Sequence, residues 1–404
     1  MQQTRAKKNI NDNNNNNNNN NWYFTNQASL SLTLREQIQL FLEIIKLDNN
    51  GIVVTQEVVP FKNDIFIIVD MQNDFLGYED GYPYKYNAET KAASLPTQGA
   101  VEMCHCIGSY ALAILNDDIN HKKERGCVIL TRDFHHKYHA SFPIFGEHCV
   151  GGSEDSSGSY IYDCLLGLVS HRDDLLNRRL FYAFKAFHRA IDSFGAFSYY
   201  PYYNNGDQED KKRVRERILH KEYDRSNEIE DEEIDLDDEK LLERYSGSFV
   251  YLDEGSVDYK KLNKARQICS REGETSQNCL APRLETILSQ AATMQQKLMQ
   301  KEYNKHNIFQ ITQNKTTNVF ICGVLGDFCV LDTAITARTS GLFQNIYIIF
   351  DLIRSLRTKE DKKLVYKAQD WFNICSKHKI RIILSANIYF TQNDHIFKSE
   401  NEMP

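Results

Sequence analysis

From Asn63 onward the chain alternates short runs of consecutive apolar, β-branched and aromatic residues with longer stretches of helical period. DIFIIVD, GCVILTRD, RLFYAFKA, TNVFICG, NIYIIFD and IRIILS read as strands buried on both faces, because apolar side chains follow one another with few polar alternates. Helical patterns near 98–119, after Cys329 and near 359–378 fall between these runs. The alternation predicts an α/β fold: a three-layer open parallel β-sheet with helices on both faces. Ligands of such sheets bind beyond the carboxyl ends of the strands.

The pattern divides the chain further. Residues 1–27 hold an Asn tract that cannot build a core and predict a disordered tail. Residues 28–61 carry an amphipathic stretch, SLTLREQIQLFLEIIK, running into LDNNGIVVTQEV. With Gly51 as sixth position of a calcium loop, Asp48 is third, Asn50 fifth, Val53 eighth and Glu57 twelfth, which resembles half of an EF-hand. Lys46 stands first and puts a cation where a ligand oxygen belongs, so the segment reads as a degenerate EF-hand-like helical unit that is not expected to bind calcium. The main domain spans 63–390, with a C-terminal tail at 391–404.

A formal net charge of -7 gives no basic footprint for nucleic acid, and no apolar run is long enough to span a bilayer. The N-terminus lacks an apolar signal region and the ending NEMP is no peroxisomal address. Ten cysteines carry no CxxC pair, which suits reduced thiols in a cytoplasmic compartment, with access to the nucleus left open.

Chemistry-bearing residues gather at the predicted strand ends. Asp70 closes the first strand, Asp133 and His135 follow the second, Lys185 the next, and Cys329 the one after. The Cys329 strand breaks at Gly323 and re-forms as a helix, whose N-terminal N–H groups and dipole favour a thiolate and offer donors to an oxyanion. Asp133 and His135 share one side of the chain, His148 can complete a ligand set, and His139 is near enough to assist. Carboxylate plus imidazoles suits one divalent metal ion, Zn²⁺ first and Fe²⁺ or Mn²⁺ as alternatives.

VDMQNDF (69–75), TRDFHHKYHASF (131–142), HCVGGS (148–153), the Lys185 region through DSFGAF (192–197) and ICGVLGDFCVLDTA (321–334) follow in a fixed order. They resemble the successive motifs of nicotinamidases in the isochorismatase-like cysteine hydrolase superfamily. The resemblance implies a triad of Asp70, Lys185 and Cys329, with Cys329 attacking, Asp70 moving the proton and Lys185 holding thiolate and carboxylate in their charged forms. It implies backbone N–H groups of Leu325 and Cys329 as oxyanion donors, and a cis peptide between Val324 and Leu325. It also implies a metal on Asp133, His135 and His148 that binds the pyridine nitrogen, and aromatic walls at Phe75 and Phe145. The activity it implies is hydrolysis of nicotinamide to nicotinate and ammonia in NAD salvage. A related amidase for another small carboxamide or carbamoyl compound is the nearest alternative, and a non-catalytic interaction protein is a further one. A homo-oligomer stays open.

The chain departs from the family pattern at Phe134 and His136, where Trp and Pro are usual, and in GGS after the His148 segment. The largest departure is an insertion at about 199–282, opening with YYPYYNNGD and turning strongly charged through EIEDEEIDLDDEKLLERY. Its charge predicts a solvated surface excursion, with a lid or partner-binding role as the alternative.

Overall fold

The computed structural model describes residues 34–58, 60, 64–76, 95, 97, 99–115, 127–151, 157–162, 165, 180–220, 237–251, 282–289, 318–355 and 367–388. The two tails and the centre of the acidic run lie outside these residues. Among the described residues eight strands form one sheet in the order β1-β8-β7-β6-β2-β3-β4-β5. They are β1 (Val53–Val54), β2 (Ile65–Val69), β3 (Cys127–Asp133), β4 (Leu180–Lys185), β5 (Phe249–Tyr251), β6 (Asn318–Val324), β7 (Asn345–Arg354) and β8 (Arg381–Ile383). Every pairing is parallel except that of β4 with β5.

Every residue of β2, β3 and β6 is buried, as their unbroken apolar runs require of strands covered on both faces. The α3 helix Ala100–Leu115 connects β2 to β3, whereas α9 (Leu331–Thr339) and α10 (Ala368–Lys377) follow β6 and β7 toward the opposite edge. Right-handed crossovers running in opposite directions put α3 on one face and α9 with α10 on the other, which is the three-layer arrangement expected. Among the described residues no helix is long and apolar enough to cross a membrane.

The N-terminal segment belongs to this sheet. Helix α1 (Leu34–Leu47) buries Leu40, Phe41 and Ile44, and the Phe41 ring lies 5.5 Å from Phe350 of β7. Asp48 accepts backbone N–H bonds from Asn50 (3.1 Å), Ile52 (3.1 Å) and Val53 (2.9 Å), so its oxygens organise the turn into β1, which pairs with β8.

Two expectations are corrected. Strand β6 does not break at Gly323 but continues to Val324, and Gly323 (φ 111°) lets β6 press against β2: a Cβ there would stand 2.2 Å from the Val69 carbonyl oxygen. The insertion, read from its charge as a solvated excursion, is in its described parts a packed layer. It forms α5 (Tyr200–Asn205), α6 (Gln208–Arg217), α7 (Asp238–Tyr245) and strand β5, which covers the edge of β4. Tyr199, Tyr202, Tyr203, Val214, Ile218, Leu241, Leu242 and Phe249 are buried. Part of the acidic charge that suggested solvation starts helices: Asp207 and Asp237 are N-caps, accepting from the N–H groups of Asp210 (2.9 Å) and Lys240 (2.8 Å).

Candidate active site

Strand β2 is hydrogen-bonded to β6 on one side and β3 on the other, and the chain leaves these strands in opposite directions. Loops diverge at such a point and open a crevice at the carboxyl ends of the strands. Asp70 follows β2, Asp133 and Lys185 are register partners at the ends of β3 and β4, and Cys329 follows β6. Non-glycine residues with positive φ cluster here, at Asp70 (49°), Cys149 (47°) and Ala186 (54°). Such backbone persists where surrounding contacts enforce it, and it concentrates at functional sites.

These strand ends bring the expected triad together. The Lys185 ammonium lies 2.8 Å from Asp70 Oδ2 and 3.6 Å from Cys329 Sγ, and it also donates to Asp133 Oδ1. All four side chains are buried. Oxygens of Asp70 and Asp133 and the Cys329 sulfur fall within 4.8 Å of one another, so Lys185 is the hub of an acid–thiol–acid cluster. Asp70 is fixed from its other side, where Thr131 Oγ1 donates to Oδ1 (2.7 Å) and accepts from the Asp70 N–H (3.1 Å).

Burial dominates the electrostatics of this cluster. Burial works against the Lys185 charge, but Asp133 and Asp70 hold its pKa well above the usual lysine value. Burial, then Asp133, pushes the Asp70 carboxyl up to about 6, with Lys185 and Thr131 pulling it back. Burial pushes the Cys329 thiol well above its ordinary range; Lys185 opposes this, while Asp70 and Asp133 reinforce it. Burial thus works against the thiolate that the helix terminus and the Lys185 ammonium favour. Cys329 sits in a π-helical turn, Gly326–Val330, that leads into α9. The Val324–Leu325 peptide is cis.

Beside this cluster Asp133, His135 and His148 bring one potential ligand atom each within 4.8 Å. Nδ1 of His135 meets the Ala186 carbonyl (3.1 Å) and Nδ1 of His148 meets the Gly146 carbonyl (2.7 Å). Carbonyls only accept, so both Nδ1 atoms carry protons and both Nε2 atoms present lone pairs. Those two Nε2 atoms face each other at 3.1 Å, with Asp133 Oδ2 3.7 Å from that of His135. Converging acceptors without a shared proton suit a cation, and the second nitrogens are held in the manner of metal-binding imidazoles. Burial lowers the pKa of both rings and keeps them in the neutral, ligating form. The residues present fit a divalent ion.

His139 does not join this set. Its Nε2 donates to the Ile191 carbonyl (3.2 Å) and its Nδ1 meets Ser141 Oγ (2.7 Å), leaving no ring nitrogen for a metal. A second grouping with His135 and Asp192 also falls within 4.8 Å but depends on that occupied ring. His139 instead lies against His135, ring centroids 4.0 Å apart and 31° between planes, and steadies it.

Phe75 is buried with its ring 5.7 Å from His148. The half-buried Phe145 lies edge-on to His148 (6.2 Å), Phe194 (6.0 Å) and Phe328 (5.5 Å). Both expected wall residues therefore border His148. Sequence reasoning does not single out Gln72, which clamps the Asp133 backbone by donating to its carbonyl (2.9 Å) and accepting from its N–H (2.7 Å). Nor does it single out Asp74, which accepts from the Cys149 N–H (2.7 Å) and fixes the loop carrying His148. Both lie inside the VDMQNDF motif, where polar residues just past a strand-end carboxylate are the available signal.

No family model matches the chain, and no curated protein matches it. The solved structures similar to it include nicotinamidases, pyrazinamidases and isochorismatase-like hydrolases. One is PnC1 from L. infantum in complex with nicotinate, 17% identical, covering 82% of this chain and 98% of that one, with a TM-score of 0.38. Another is the yeast nicotinamidase bound to the inhibitor nicotinaldehyde, 14% identical over 80% of this chain and 100% of that one, with a TM-score of 0.36. A third is the pyrazinamidase of Pyrococcus horikoshii in complex with zinc, 15% identical over 80% and 99%, with a TM-score of 0.34.

Proposed function

We propose that this chain is a cysteine amidase that hydrolyses nicotinamide to nicotinate and ammonia, as a step of NAD salvage. The observation that carries the reading is the position of Lys185 Nζ, in contact with Asp70, Asp133 and Cys329 at once, which joins a nucleophile and its base to a carboxylate–histidine ligand set. Amide hydrolysis needs a nucleophile, a proton acceptor that returns the proton to nitrogen, and donors for an oxyanion. Asp70, with its carboxyl pushed up to about 6, takes the Cys329 proton as sulfur bonds to the amide carbon. The N–H groups of Leu325 and Cys329 receive the oxyanion. As the tetrahedral adduct collapses, Asp70 gives its proton to nitrogen, ammonia leaves, and a thioester remains on Cys329. Asp70 then deprotonates a water that attacks the thioester, and the thiol recovers its proton as nicotinate departs.

Asp133, His135 and His148 would hold a divalent ion, zinc by the mix of donors, and the bound ion supplies a Lewis-acid contact for a ring nitrogen. Phe75 and Phe145, both beside His148, would meet the faces and edges of a flat ring. The test is ammonia release from nicotinamide, pyrazinamide, aliphatic amides and carbamoyl compounds, with metal content measured on the same sample. Preference for the ring amides supports the reading. Turnover confined to carbamoyl compounds moves the substrate class, and no ammonia from any of them refutes an amidase.

A further inference from the structure

The inserted segment grips the nucleophile helix through one buried carboxylate. Asp332 lies on α9, three residues past Cys329. Tyr199 Oη donates to its Oδ2 (2.7 Å), Arg213 Nη2 donates to its Oδ1 (2.7 Å), and Arg217 Nη1 lies 3.7 Å from the same oxygen. All three partners come from the region that interrupts the family pattern. Burial acts to protonate Asp332, but Arg217, Arg213 and Tyr199 overcome it and keep it ionised below the usual aspartate range.

Arg217 also reaches the aromatic rings beside the nucleophile turn. Its guanidinium carbon lies 4.8 Å from the centre of the Phe328 ring and 5.4 Å from that of Phe194, and its Nη2 is 3.5 Å from the Asp327 carbonyl oxygen. Phe328 adjoins Cys329 in sequence, and the Phe328 and Phe194 rings are 5.4 Å apart. Both meet Phe145 nearly perpendicularly, at 85° and 87°, and Phe145 meets the ring of His148 at 78°. An unbroken line of contacts therefore runs from a buried cation on α6, through three phenylalanines, to a candidate metal ligand. A planar guanidinium can stack on two rings while donating at its edge, which a lysine cannot reproduce.

We infer that Arg217 is a specificity-determining positioning residue: stacked behind Phe328 and Phe194, it fixes an aromatic wall beside Cys329 and gives the site its preference for flat, ring-bearing carboxamides over aliphatic ones. The inference rests on the proposed reading for the substrate class, and its test needs no turnover. Cys329 alkylation by iodoacetamide and by the N-pyridyl derivative of iodoacetamide is followed by mass spectrometry of the Cys329 peptide in the full chain. The wild type reacts faster with the pyridyl reagent. In Arg217→Met that preference falls about tenfold, within the range that cation–π contacts span from exposed to desolvated sites, while the iodoacetamide rate moves less than about twofold. Arg217→Lys loses part of the preference, and Arg213→Met, which loosens the same Asp332 clamp while Arg217 keeps its stacking on Phe328 and Phe194, leaves it at the wild-type value. The inference is overturned if the wild type shows no preference, if Arg217→Met retains it, or if Arg213→Met loses it equally. Should Arg217→Met fail to fold, Arg217→Lys decides, and an undiminished preference in that variant overturns the inference. A wild type that hydrolyses no amide refutes the proposed function and still leaves this ratio to be read.

Discussion

Replacing Lys185 by Met removes the one ammonium between two buried carboxylates, and its consequence can be sized from the geometry. Nζ lies 2.8 Å from Asp70 and also bonds Asp133, with all three groups out of water. Removing one member of a buried ion pair leaves uncompensated charge and costs about 3–5 kcal/mol. At about 1.5 °C per kcal/mol for a domain of this size, the melting temperature at pH 8 should fall by roughly 4–7 °C. The deficit carries a pH signature. Asp70 already has a folded pKa of about 6 against an ordinary 3.8, so the folded state binds more protons across that interval and stability falls as pH rises through it. Without the ammonium, which now lowers the Asp70 pKa, that carboxyl rises further and the interval widens upward. The Lys185 contribution in the wild type, from a pKa raised above 10.5, is complete below that value and is lost only above it. The variant should therefore lie closer to the wild type at pH 5 than at pH 8. Thermal melts by circular dichroism at both pH values, in chelator so that no metal charge enters, measure this directly. A melting temperature within about 2 °C of wild type at pH 8, or a deficit that grows toward pH 5, would refute the argument.

Other outcomes follow from the same contacts. His135→Ala and His148→Ala each remove an inward-facing Nε2 lone pair, so zinc bound per chain should fall at least about tenfold by mass spectrometry of dialysed protein, with the fold retained. Asp327 is buried with its carboxyl pushed up to about 7 by burial, against the Trp371 indole (2.7 Å), Ser355 and Arg217. It therefore destabilises the fold increasingly from pH 3.8 to about 7, and Asp327→Asn should melt higher than wild type at pH 8 and show no advantage at pH 4. Replacing residues 203–280 with a Gly/Ser linker should lower the melting temperature by at least about 5 °C and the efficiency with nicotinamide by more than about tenfold, because it strips both arginines from Asp332. Retention of wild-type values would restore the solvated-excursion reading.

The strands were legible because a sheet covered on both faces demands unbroken apolar runs, and DIFIIVD or NIYIIFD can satisfy little else. Asp70, Lys185 and Cys329 were legible as strand-end residues, and register then brings Asp133 beside Lys185. The electrostatic effect of burial was not legible. A helix terminus and a lysine argue for a thiolate, and burial, which no local pattern records, works against it. His139 could not be separated from His148 by spacing, since the difference lies in where Ser141 and Ile191 point. The insertion misled because local charge was read as solvation. Asp207 and Asp237 are helix caps, and Arg213 and Arg217 meet a buried partner more than a hundred residues away. Composition carries no record of such long-range pairing.

The central claim, that Cys329 attacks an aromatic carboxamide, is tested most directly by mixing the protein with nicotinamide, quenching in acid within the first turnovers and weighing the Cys329 peptide. The account predicts a nicotinoyl adduct on that peptide in the wild type, together with ammonia release, and neither in Cys329→Ala. Sustained ammonia release by Cys329→Ala, or turnover by the wild type through an adduct on another residue, would contradict it.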